Sequence, residues 1–112
     1  MPRVFVVCEP VTKQGGTPRM DLSPAMRYGE LIVLLQHTQS LLAPVPTVRK
    51  LREKLADFCD DDYILPVGDP VLMSTVAMIA ANANHGRVQF LKWDRIQGGY
   101  LCIRVDTSGR AQ

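Results

Sequence analysis

Four carboxylates, Asp57, Asp60, Asp61 and Asp62, crowd the stretch LADFCDDDYILPVGDP, directly ahead of the most apolar part of the chain. Acids at this density can hold a divalent cation through oxygen ligands or meet a basic partner. The D-x-D-x-D-G spacing of an EF-hand is absent, and adjacent aspartates project in divergent directions, so no metal and no other cofactor is expected. The acids also fall at the C-terminal end of an expected helix, where the macrodipole disfavours negative charge. Their expected role is a solvated turn that ends the helix and keeps the sticky YILPV strand from pairing with other chains. Asp60, Asp61 and Asp62 are the residues through which the run would contact a basic protein partner.

The turn Gly68-Asp69-Pro70 sits where a strand hands over to a helix, a place where helix N-termini bind phosphate. There is only one glycine, however, and Asp69 would put its own negative charge at that terminus. Aspartate as N-cap with proline at the first helical position is instead the preferred way to start a helix. His37 and His85 have no metal-ligand partner at the usual spacing, and His85 is placed to complement the C-terminal end of the second helix. No GxSxG, HExxH, P-loop or paired-carboxylate arrangement is present. No catalytic residue is therefore assigned, and a non-enzymatic protein is expected. Cys8, Cys59 and Cys102 are an odd number with no CxxC pair, which fits a reducing compartment. Their apolar neighbours predict buried or half-buried structural thiols.

Basic and aromatic residues cluster on the last hairpin: Arg87, Lys92, Trp93, Arg95, Tyr100 and Arg104. Such a set can grip a single nucleic-acid strand by charge and stacking, and Arg87, Lys92 and Arg95 carry that second reading. Strand alternation divides them, with Arg87 and Trp93 on one face and Lys92 on the other. Trp93 and Tyr100 read better as cross-strand packing partners. A net charge of +2 over 112 residues is too small to imply a polyanion partner by itself.

The elements that would position these residues follow from periodicity. Residues 3–8 (RVFVVC) read as a strand, 11–28 as a long irregular surface segment carrying Lys13, Arg19 and Arg27, and 29–36 as a second strand. His37-Thr38-Gln39 reads as a turn with 40–43 returning antiparallel; a short helix through 30–42 competes with that hairpin. Thr47 is a fair N-cap for a helix over 47–59, whose apolar face is Val48, Leu51, Leu55, Phe58 and Cys59. A strand over 63–67, a helix over 70–84 stopped by Gly86, and strands over 87–93 and 100–105 complete the chain, with a flexible tail from 107 to 112. The fold class is α/β or α+β. One domain over residues 1–106 carries a mixed sheet of five or six strands with two helices, one βαβ unit and a C-terminal hairpin.

The second helix makes the sharpest demand. VLMSTVAMIAANAN, residues 71–84, contains no charged side chain, whereas a helix covering one face of a sheet normally shows a charged outer face. Either the first helix and the long loop cover it, or another protein does. Val71, Thr75, Met78 and Asn82 are the expected interface, with a homo-oligomer, such as a homodimer, as the expected state. No apolar run approaches the roughly 20 residues needed to span a bilayer, and the start MPRVFVVCEP has no signal-peptide pattern. A soluble intracellular protein is expected.

Four phrases, VFVVCEP, MDLSPAMRYGELIVLL, PTVRKLREKLADFCDDDYILPVGDP and GRVQFLKWDR, resemble a group of small proteins encoded by tailed bacteriophages. The resemblance covers most of residues 3–105. It implies a phage origin and the host cytoplasm of an infected cell as the setting, with a host protein as a possible target, and it supplies no site.

Overall fold

A β-branched and aromatic run makes Arg3–Cys8 the strand β1, and the computed structural model, which describes residues 1–9, 22–36 and 44–109, places it in the middle of a five-stranded sheet. Five of its six residues are buried, so its side chains feed both faces. Parallel neighbours flank it: β2 (Glu30–Leu35) on one side and β3 (Tyr63–Leu65) on the other. Next to β3 runs β4 (Arg87–Asp94), also parallel, and β5 (Gly99–Asp106) returns antiparallel along β4. The order is β2-β1-β3-β4-β5, a mixed sheet with the C-terminal hairpin at one edge.

Two helices pack on one face. The first, α1 (Pro44–Lys54), starts three residues earlier than Thr47 would have set it and ends five earlier than expected. Pro44 and Pro46 are tolerated because the first turn of a helix has no intrahelical partner for its amides. Thr47 lies inside the helix and is buried. Past Lys54 the chain continues as turns, which still deliver Leu55 and Phe58 to the core beside Leu51. The second helix, α2 (Pro70–Ala83), begins at the predicted cap: the Asp69 carboxylate accepts from the amides of Val71 (2.9 Å) and Leu72 (3.1 Å). We expect Asp69→Ala to cost about 1 kcal/mol, seen as a lower denaturation midpoint with an unchanged m-value.

At its other end α2 closes through the Gly86 amide, which donates to the Ala81 carbonyl at 2.7 Å. The left-handed residue of that closure is His85 (φ 57°), one position before the glycine expected to supply it. Gly86 is also left-handed, and a side chain there would run into the Thr107 hydroxyl and the Ser108 amide. Strand β3 is two residues shorter than expected because Pro66 has no amide for the ladder. Strand β3, helix α2 and strand β4 form the predicted βαβ unit.

The helix face holds Phe5, Val7, Leu34, Ile64 and Val88 against Leu51, Leu55, Leu72, Val76 and Ala80. Each such side chain contributes roughly 1.5–3 kcal/mol when fully buried. The opposite face is covered by a short 3₁₀ helix, Ser23–Arg27, within the segment read from sequence as irregular; its Ala25 packs with Val4, Val6, Leu65, Leu91 and Tyr100. The rest of that segment, with Lys13 and Arg19, and the expected hairpin turn and return over 37–43 lie outside the described residues. The tail is tied further along than expected: Thr107 donates its amide to the Gly86 carbonyl at 2.8 Å.

Candidate protein interface

The acidic run lies in a turn with Asp57, Asp60 and Asp61 exposed, as expected, but Asp62 is not solvated. Asp62 is 1% exposed and saturated: its carboxylate accepts from Arg3 Nε (3.1 Å), Arg3 Nη2 (2.7 Å) and the amides of Arg3 (3.2 Å) and Cys59 (3.0 Å). Burial raises its pKa, but the Arg3 fork and the Cys59 amide outweigh that and hold the carboxyl below the ordinary aspartate range. The same contacts raise the Arg3 pKa, with the Asp62 hydrogen bond the main cause and burial opposing it. Asp60 accepts from Arg87 Nε (3.0 Å) and Asn84 Nδ2 (2.8 Å), and Asp57 from Arg3 Nη1 (3.1 Å). Gln89 completes the belt, donating to the carbonyls of Asp60 and Asp62 and accepting from Arg104 Nε at 3.0 Å. The belt thus ties the amino-terminal ends of β1, β3 and β4 together. Of the three aspartates expected to meet a partner, Asp61 is exposed outside these bonds, Asp60 is exposed but engaged, and Asp62 is withdrawn.

Open α/β sheets place ligands beyond the carboxyl ends of their parallel strands, and of these the turn after β3 is occupied by its own described residues. Gly68 (φ 113°) lies against Cys8, and the Asp69 carboxylate occupies the helix N-terminus. Among the described residues no three His, Cys, Asp or Glu side chains converge as metal ligands. The residues of the nucleic-acid reading do not converge either. Arg87 is paired with Asp60 at one end of β4, Lys92 is exposed beside Leu101, and Arg95 lies beyond the other end of that strand. Trp93 and Tyr100 are the expected cross-strand pair, their rings edge to face at 5.0 Å.

The expected stripe on α2 does face outward. Val71 is 59% and Met78 66% exposed, Asn82 is exposed, and Thr75 is half-buried with its hydroxyl donating to the Val71 carbonyl at 2.8 Å. Ser74 makes the same back-bond to Pro70. Two of the few polar groups on this helix therefore serve its own backbone. Leu72, Val76 and Ala80 point inward and are buried.

Sequence reasoning missed the surface that continues this stripe. Helix α2 packs mainly over β1 and β4. Every residue from Leu101 to Asp106 is exposed, and Leu101, Ile103 and Val105, at 43%, 41% and 40%, share the helix side of the sheet. A groove lined by Met78, Ala81, Asn82, Phe90 and Val105 joins the helix flank to the strand. Val71 and Met78 on the helix and Leu101, Ile103 and Val105 on the strand are thus large apolar side chains left exposed on one side of the sheet. The signal was present in YLCIRV, whose alternation pairs an aliphatic face with a mixed one. The same open strand leaves Cys102 exposed, and Cys59 turns outward while its amide is held by Asp62, so only Cys8 is the buried thiol expected of all three.

The architecture is a mixed-sheet domain with an open apolar flank and no helix, among the described residues, long and apolar enough to cross a membrane. The chain matches the family model described as "Phage Pam3 gp32-like protein" over residues 2–107 and belongs to that family, as the resemblance to phage-encoded proteins implied. No curated protein and no solved structure matches it.

Proposed function

We propose that this phage protein works by contact and not by catalysis: it self-associates and binds protein partners through the apolar flank formed by α2 and β5, and so regulates or inhibits a host system in the infected cell. The observations that carry the reading are the exposed Val71 and Met78 on α2, the exposed Ile103 and Val105 on β5, and the groove that joins Met78 to Val105. The polar groups that could have done chemistry support it from the other side, because Asp62, Asp60, Gln89 and Asp69 are engaged in holding the fold.

Light scattering at high micromolar concentration tests the self-association directly. The expected result is a mass above that of one chain, with Met78→Glu weakening association by at least about tenfold, because a carboxylate would have to be desolvated in the contact. A strict monomer would remove the self-association, and an oligomer indifferent to Met78→Glu would remove the α2 stripe from it.

A further inference from the structure

Among the described residues, two α-helices cover one face of a sheet five strands wide. Helix α2 packs mainly over β1 and β4, and so lies across β3, the strand between them. Neighbouring strands stand about 4.8 Å apart, and packed helices about 8–10 Å. A helix set beside α2 would therefore lie two strands further on, over β5. That is where Leu101, Ile103 and Val105 are exposed on the helix side, and where a groove lined by Ala77, Met78, Ala81, Phe90 and Val105 runs.

The flank of α2 that borders this place is built for a close neighbour. Ser74, Ala77 and Ala81 follow one another by three and then four residues, the seam spacing of paired helices. All three are small, and no residue from 71 to 84 is ionised. The Ser74 hydroxyl already donates to the Pro70 carbonyl at 2.8 Å, so it brings no unsatisfied donor into a contact. Helix α1 offers nothing similar, because Arg49, Lys50, Arg52 and Glu53 are exposed on it.

We propose that the helix over β5 is α2 of a second copy, in a two-fold dimer whose sheets face each other across one shared helix layer. Symmetry fixes the direction. For α2 of each copy to lie over β5 of the other, the axis must run along the helices and between them, so the two helices are parallel. One contact then covers both exposed apolar surfaces of each copy. Val71 and Met78 of one α2 meet Ile103 and Val105 of the other chain, while Ser74, Ala77 and Ala81 meet their own counterparts. That is the self-complementary pattern of an isologous interface. Charge agrees at the start of the helix. Helix α2 runs back between the parallel strands β3 and β4, so its first turn lies towards the Lys92–Leu101 end of the hairpin. Asp69 of one copy thus approaches the exposed Lys92 of the other. Asp69 caps its helix through Oδ2 alone, which leaves Oδ1 for that cation. The charged face of α1 stays in water. The inference rests on the self-association proposed above and assigns its partner surfaces and their direction.

The test uses the full chain with Cys59→Ser and Cys102→Ser, which removes the exposed thiols. Adding Ala77→Cys sets two thiols face to face across the axis, where the small seam brings the backbones within disulfide reach. Mild oxidation is expected to convert most of the protein to a reducible covalent dimer. Thr75→Cys lies about 200° away around the helix and is expected to stay uncrosslinked. In the chain with its native cysteines, Ile103→Glu is expected to weaken association by at least about tenfold, since a carboxylate would be desolvated under the second helix. Ile103 is 41% exposed in one chain, so the unfolding midpoint of the variant monomer should show that the fold is intact. Lys92→Glu is expected to weaken association as well, and Asp69→Asn, which keeps the cap, to recover part of that loss. A dimer that fails to crosslink at 77, crosslinks equally at 75, or is indifferent to both Ile103→Glu and Lys92→Glu overturns the helix pairing while leaving self-association standing. A monomeric native chain overturns both.

Discussion

Asp62→Ala is expected to lower the stability of the fold by about 3 kcal/mol, the lower end for breaking a buried ion pair. Arg3, the partner left behind, is a quarter exposed and recovers some hydration. The loss has three parts: the bidentate Arg3 fork, the Arg3 amide and the Cys59 amide all lose their acceptor at once. A midpoint of thermal unfolding lower by roughly 10 °C would follow for a domain of this size. The same residue gives the protein an acid limit. Its carboxyl titrates lower in the folded chain than in the unfolded one, so its contribution is complete above the ordinary aspartate pKa of about 3.9. That contribution is lost as pH falls through the depressed folded value. Asp60, held down first by the Arg87 hydrogen bond and then by Asn84, adds to the same slope. Urea titrations of the native chain and Asp62→Asn between neutral pH and pH 3 should show a shallower acid branch in the variant. An equal slope would mean that Asp62 does not carry the linkage.

Gly68→Ala is expected to cost about 2–4 kcal/mol, the sum of a backbone conformation that only glycine adopts freely and an overpacked contact. The φ of 113° supplies the first part, and a Cβ built at Gly68 would stand 2.9 Å from the Cys8 Cβ, which supplies the second. Neither neighbour can yield easily, because Cys8 ends the central strand and Asp69 begins α2. Gly98→Ala is the matched comparison: it too has positive φ, at 70°, but nothing within 4 Å. It should lose only the conformational share, about 1 kcal/mol. Equal losses at the two positions, measured by chemical denaturation, would show that the contact with Cys8 is relieved at no cost.

Periodicity and cap chemistry carried most of the architecture. RVFVVC, YIL and RVQFLKW read as strands because their patterns are local, and Asp69-Pro70 fixed the start of α2 because the cap is a side-chain bond to amides two and three residues away. The outward stripe of Val71, Met78 and Asn82 was legible for the same reason. Three features were not. The acids of the DDD run are sorted by partners far along the chain, Arg3 for Asp62 and Arg87 for Asp60, which no local pattern reveals. The α1 boundaries shifted because proline, usually a stop signal, is equally at home in a first turn. The openness of β5 depends on where α2 lies across the sheet, a tertiary fact. In the candidate site, therefore, the helix half could be read from residue types and the strand half could not.

The position of β1 bears on how the chain acquires its shape during synthesis. Its first ladder, Arg3 to Glu30, closes a separation of 27 residues (30 minus 3), and its second, Val4 to Tyr63, closes one of 59 (63 minus 4). Pairings across such separations slow folding because closure precedes reward. Strand β1 is thus made before either of its neighbours, and VFVVC waits without a complete home until the segment beyond Tyr63 has been made. During that interval the future centre of the molecule is its most adhesive part, and whatever shields it then acts on a partly made protein.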